Sequence, residues 1–359
     1  MDFRLTEDQR ALRKGVRELL ARLFDREALR AAVDAPSLDR ELWRELGAAG
    51  FFALRVPEEE GGVGLGLPEA VLLFEEAGRV LLPGPLVATH VAAGVVPGAA
   101  EGEVVVTAVD EGLVPWLDEA DVVLGDVTGA VPMRSVDPLT PLHKVPGLVG
   151  AGDGGGTRPQ GRRPVVPTRP APAGRMPTTG VVDTADALPT TGVVDTADAL
   201  LTTGVVETAD ALPATGGAGV LPVADELVAV LLTAAEQVGS AGAATEMAVS
   251  YAGAREQFGQ VIGGFQAVKH LCAGMLVRAE LARVAVRAAA VTGDPVEIAG
   301  AKLLADEAAT GNARDCLQVY GGMGFTWEAD VHLHLKRAWV RARLRLPAAR
   351  AEEVVAEQL

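Results

Sequence analysis

A chain of 359 residues can hold one large domain or two to three smaller ones, each with its own core. Its formal net charge of −16 argues against non-specific nucleic-acid binding, which needs basic surface to neutralise phosphates. Two cysteines, Cys272 and Cys316, are too few for a disulfide framework or a cysteine metal site, so a reducing, cytoplasmic setting is expected. Asp2 and Arg4 do not lead into an apolar run, and no window holds about 18 uncharged apolar residues, so neither a signal peptide nor a membrane span is expected.

Thr6 followed by Gln9 has the form of a capping box and predicts a helix start. Leu12, Val16, Leu19, Leu20 and Leu23 then recur at helical spacing, which gives one buried face. Ser37 is placed to cap a second helix over 38–48, which stops at Gly50. Residues 52–64 read as a loop by their glycines. Pro68 opens a third helix over 69–82, and a short fourth covers 87–93. These elements make an N-terminal helical domain over 1–100.

Residues 101–149 change character. Val104 to Val106 and Val122 to Leu124 are β-branched runs between Gly, Pro and Asp, as buried strands are. Beyond them, 150–219 is Gly- and Pro-rich and carries a unit that begins Thr-Thr-Gly-Val-Val at Thr178, Thr190 and Thr202. It reads either as a small repeat array or binding tail, or as a tandem duplication giving a flexible insertion. The second is expected, because such short units cannot bury a core. From Val223 the pattern is helical to the end, with helices over 223–255, 265–290, 296–320 and 330–346 and a final turn of helix after Pro347. Narrow, Ala-rich stripes along them predict an antiparallel four-helix bundle over 220–359.

Two short segments carry chemistry. The first holds Tyr251, Arg255, Gln257, Phe258 and Gly259, with Phe265 and Gln266 following; the second holds Gln318, Tyr320, Gly321, Gly322, Gly324 and Phe325. A guanidinium can fork onto phosphate oxygens, glycines let backbone approach a phosphate or a flat ring, and amides add uncharged donors. Taken singly, an Arg at a helix end is a solvated charge and a Gly-Gly is a helix stop. His270, His332 and His334 make no metal triad, since His332 and His334 lie on different helix faces.

Together the two segments resemble the Arg-x-x-Phe-Gly and Gln-x-x-Gly-Gly-x-Gly elements of the acyl-CoA dehydrogenase family. That resemblance implies a mainly α fold, with an N-terminal helical domain, a reduced β-rich middle and a C-terminal antiparallel four-helix bundle. It implies FAD as cofactor, an acyl-CoA substrate, an electron-transfer acceptor, and a homo- or hetero-oligomer with another chain of the same fold. Arg255, Gln257 and Phe258 would then contact the FAD of a neighbouring subunit. Gln318, Gly321 and Gly322 would sit at its adenine and diphosphate end, and Gln266 beside the flavin. The family's middle domain carries a Thr/Ser-Glu-x-x-Gly-Ser-Asp-like stretch, which is missing between Glu101 and Gly150.

The family's reaction removes the α-proton of an acyl thioester with a carboxylate while hydride passes to the flavin. Its usual base follows the Gly-rich element, yet residues 331–351 hold no Asp or Glu; an alternative position falls on Ala229. Glu226 and Glu236 lie on that helix, and Glu236 is the better candidate, with a structural glutamate as its plainer reading. Glu328 is expected to cap the following helix. Three functions therefore compete: an active dehydrogenase, a base-lacking flavin-binding subunit that completes a partner's site, and a helical scaffold without flavin.

Overall fold

The computed structural model describes residues 5–146 and 223–358, and these fall in one compact unit. The repeats at 178–212 lie outside the described residues. Helix α1 (Glu7–Leu23) starts on the predicted capping box, with Gln9 N donating to Thr6 Oγ1 at 3.1 Å and Thr6 N to Gln9 Oε1 at 3.0 Å. Helix α2 (Arg26–Asp34), capped by Asp25, is absent from the sequence reading. Helix α3 (Arg40–Ala48) is capped by Asp39 rather than Ser37, because the Asp39 carboxylate accepts from both Glu41 N and Leu42 N. Helices α4 (Leu67–Arg79) and α5 (Leu86–Ala92) complete the N-terminal part.

The middle contains five three-residue strands: β1 (Val106–Ala108), β2 (Leu113–Pro115), β3 (Val122–Leu124), β4 (Val131–Met133) and β5 (Leu142–Lys144). β1 pairs with β3 in parallel, and β2 and β4 flank β5 antiparallel, so the β content is small and split between two sheets. The C-terminal part is α6 (Val223–Ala254), α7 (Gln266–Thr292), α8 (Pro295–Tyr320), α9 (Val331–Arg341) and α10 (Ala348–Ala356). The four-helix bundle is α6 to α9, with α9 shorter than its pattern implied. The chain leaves helical geometry after Ala342, and Arg345 and Leu346 take positive φ before Pro347. Asp330, not Glu328, stands at the start of α9, and Glu328 instead lends its carbonyl to Arg26.

Helix α6 is the axis. It is long and apolar enough to cross a bilayer, but 94% of its most apolar window is buried inside the protein. Small residues bring α4 against it: a Cβ on Gly78 would lie 2.0 Å from the Glu236 carbonyl oxygen, and one on Gly239 would lie 1.9 Å from that of Glu75. Backbones this close leave little room for intervening side chains, so the buried acids of α4 must find cations to either side. Arg13 of α1 reaches Glu76 at 2.7 Å, and Arg283 of α7 reaches Glu75 at 2.7 Å. Burial pushes the Glu75 carboxyl up, but Arg283, Arg13 and Arg287 outweigh it and hold the group below the ordinary carboxylate range.

Candidate functional site

The two motif segments meet at the C-terminal ends of α6 and α8. Tyr251 on the last turns of α6 stacks on Tyr320 at the end of α8, with ring centroids 4.1 Å apart and planes 16° from parallel. Neither tyrosine received a role from the sequence, though both sit inside the quoted motifs. Beyond Tyr251 the chain forms a two-residue hairpin between β6 (Glu256–Gln257) and β7 (Gln260–Val261). Its turn is Phe258-Gly259, both at positive φ (54° and 79°), the geometry of a type I′ turn. A glycine is at home there, while a phenylalanine is held at a cost and presented 92% exposed.

Every predicted cofactor residue at this end faces outward. Arg255, Gln257, Phe258, Gln266, Gln318, Gly321 and Gly322 are all exposed. Arg255 has no carboxylate within ion-pair range among the described residues. A Cβ on Gly321 or Gly322 would meet nothing within 4 Å, so the backbone is open to a ligand there. Phe265 packs edge-on to Phe258 at 6.2 Å, which ties Gln266 to the hairpin, although the Gln266 amide itself contacts the His270 ring at 3.1 Å. Phe325, 82% exposed beside the glycines, belongs with this group and was left without a role. An unpaired guanidinium, open glycines, the exposed Gln318 amide and outward aromatics fit the diphosphate and flat rings of a dinucleotide.

Glu236 is elsewhere. It lies fifteen residues before Tyr251 on α6, about 22 Å along the axis at the helical rise. It lines a cavity of about 70 Å³ between α5, β1, α6 and α9, together with Trp116, Thr233, Arg337, Arg341 and Arg345. Arg341 Nη2 donates to Glu236 Oε1 at 2.7 Å, and both side chains are buried. Burial pushes the Glu236 carboxyl up, only partly offset by Arg341 and Arg337. The same burial brings Arg341 down to about 10, so it stays charged at neutral pH. Arg337 is fully engaged, donating to the Asp137 carboxylate and to the carbonyls of Leu82 and Leu139. Beside them Lys302, wholly buried, pairs with Asp306, whose other oxygen accepts from Gln237 at 2.9 Å.

His334 is buried against Ser240, 2.8 Å from Nδ1, and burial takes it down to about 3; His332 stacks on Trp327. Among the described residues no cluster could hold a metal. The sequence reading missed Arg341, Arg337 and Asp137, whose pairing joins residues far apart in the chain. The one signal available was the run of alternating arginines at Arg341, Arg343 and Arg345.

A helical N-terminal part, a small β middle and a C-terminal four-helix bundle make a mainly helical fold whose exposed end fits a dinucleotide. Comparison with known proteins agrees. The family models for the acyl-CoA dehydrogenase N-terminal domain and C-terminal domain match residues 6–102 and 229–355. The chain is 32% identical to the acyl-CoA dehydrogenase IpdE2 of Mycobacterium tuberculosis, over 94% of this chain and 93% of that one. It is 36% identical over 320 residues to FadE34 of the same organism, covering 83% of this chain but 39% of that longer relative. The solved ChsE4-ChsE5 complex of M. tuberculosis shares the fold, with a TM-score of 0.71 at 20% identity over 100% of this chain and 98% of that one. The chain belongs to the acyl-CoA dehydrogenase family, a family of flavin-dependent oxidoreductases. Its activity class is therefore the α,β-dehydrogenation of acyl-CoA thioesters, and the flavin-free scaffold is set aside.

Proposed function

We propose that this chain acts as a flavin-binding subunit that completes the active site of a partner with the same fold, instead of supplying its own base. The observation that carries this is the separation along α6. The exposed, open-glycine end is about 22 Å from the cavity that holds Glu236, so one FAD diphosphate cannot be held there while its ring meets Glu236 through the same surface. Arg255 and the glycines would hold the diphosphate and adenine, Phe258 and Phe325 would cover a ring, and the bound flavin would accept the hydride. Two further facts support the reading. Residues 331–351 carry no carboxylate, and Glu236 is locked to Arg341, not free to abstract a proton.

A partner chain has somewhere to dock. Val277, Leu281, Val284 and Val291 are all more than half exposed on one face of α7, at spacings of four and three or multiples that suit a second helix. The test is spectroscopic. The chain alone should show negligible acyl-CoA-dependent flavin bleaching, and turnover should appear when a homologue carrying the base is added. Glu236→Gln in that mixture should leave the rate within about tenfold, well short of the loss expected for a general base. Turnover by the purified chain, abolished by Glu236→Gln, would replace this reading with a self-sufficient enzyme.

A further inference from the structure

The cavity that encloses Glu236 has donors left over once its own pairs are counted. Arg341 is 5% exposed, and while its Nη2 serves Glu236, its buried Nη1 has no acceptor among the described residues. Buried guanidinium N–H groups are seldom left unmatched, because each has lost its water. Arg345, only partly buried and in ion-pair range of Asp110, is a second guanidinium at the wall. Asp110 Oδ2 accepts from the Arg345 backbone N–H at 2.6 Å and stands 3.6 Å from its Nε, and the Arg345 guanidinium makes no hydrogen bond among the described residues. Arg337, by contrast, has an acceptor for each of its three guanidinium nitrogens, in Asp137, Leu82 and Leu139.

We propose that this cavity is a carboxylate-binding site, with Arg341 and Arg345 supplying the donors. Its two oxygens offer acceptors to both guanidiniums, where one water would satisfy them less well and carry no charge. Leu86, Trp116, Val340 and Leu344 give the wall an apolar part that suits a short aliphatic tail, beside the polar Thr107, Asp110, Thr140 and Thr233. A volume of about 70 Å³ is several times what one water needs, at roughly 10–15 Å³. It admits a short-chain acid and is far too small for a CoA nucleotide. The carboxylate can come from a free short-chain acid or from the distal end of an acyl group that bears one; only this second source rests on the dehydrogenase reading.

Calorimetric titration of the full chain with sodium propionate, at ionic strength held constant with chloride, tests the site directly and requires no turnover. Saturable binding in the millimolar range is expected, weakened at least tenfold in Arg341→Lys, which keeps a cation beside Glu236 but loses the fork. The paired change Glu236→Gln with Arg341→Gln, which leaves no bare buried charge, should weaken it as much. Absence of saturable heat, or equal binding in both folded variants, overturns the proposal. Succinyl-CoA and butyryl-CoA separate the sources. Displacement of propionate by succinyl-CoA but not butyryl-CoA assigns an acyl carboxylate, and displacement by neither assigns a free acid. Since propionate binding is read without flavin, its loss and the loss of flavin-dependent turnover are distinct results.

Discussion

The N-terminal half of α6 and its C-terminal end solve opposite problems. Around Glu236 the helix runs through a buried field of paired charges: Arg341 with Glu236 and Arg337 with Asp137 across elements, and Lys302 with Asp306 one turn apart on α8. Around Tyr251 the same helix ends in groups the protein does not match: an unpaired Arg255, an outward Phe258 held at positive φ, and glycines with nothing above them. Buried ionic groups are kept where they fix one arrangement of helices; unmatched ones persist where something from outside completes them. The motifs that identify a family and the charges that hold its fold are thus about four turns apart along one helix.

The largest expected effect is at the buried end. Arg337→Ala leaves Asp137, which is fully buried, without its cation and two carbonyls without donors, so stability should fall by about 3–5 kcal/mol in urea denaturation. If stability were unchanged, the buried field would not be what holds α9 to the middle strands. Next is acidity. His334 is neutral in the folded chain, with its pKa brought down to about 3 from the ordinary 6.5, and the unfolded chain binds that proton first. Its stabilising share is complete above pH 6.5 and is lost as pH falls toward 3, at up to about 1.4 kcal/mol per pH unit. Buried His90, brought down to about 4, adds a second loss of the same sign. His334→Asn should flatten that decline in a series of melts; an unchanged slope would remove His334 from the account.

The open end should behave the other way, with function lost and stability kept. Arg255→Ala should weaken flavin retention by about 2 kcal/mol, as for one charge-assisted contact, with no change in melting, since Arg255 is exposed and unpaired. Equal flavin retention would return Arg255 to a solvated helix-end charge. The smallest effect is at the turn. Phe258→Gly should relieve about 1 kcal/mol of left-handed strain and raise stability slightly while flavin retention falls. A drop in stability would show that the ring packs within this chain.

Local chemistry made much of this protein legible from its sequence. The Thr6–Gln9 box, the Pro68 start, the break between the helices predicted over 265–290 and 296–320, and the Ala-rich stripes act over a few residues, and each falls where the pattern predicts. The Arg255 and Gln318–Gly324 motifs were readable for the same reason, because turns and close approaches are set by neighbours in the chain. Helix α2 was not read from the sequence, and the Asp39 cap was missed because Ser37 and Asp39 are both plausible caps within three residues, where only the hydrogen bonds to Glu41 N and Leu42 N decide. What only the tertiary structure decided are pairings across the fold: Tyr251 on Tyr320, Glu236 on Arg341, Arg337 on Asp137, and the glycine-tight crossing of α4 on α6. No spacing rule links such residues, because the contact is made by the packing of whole helices and not by the local path of the chain.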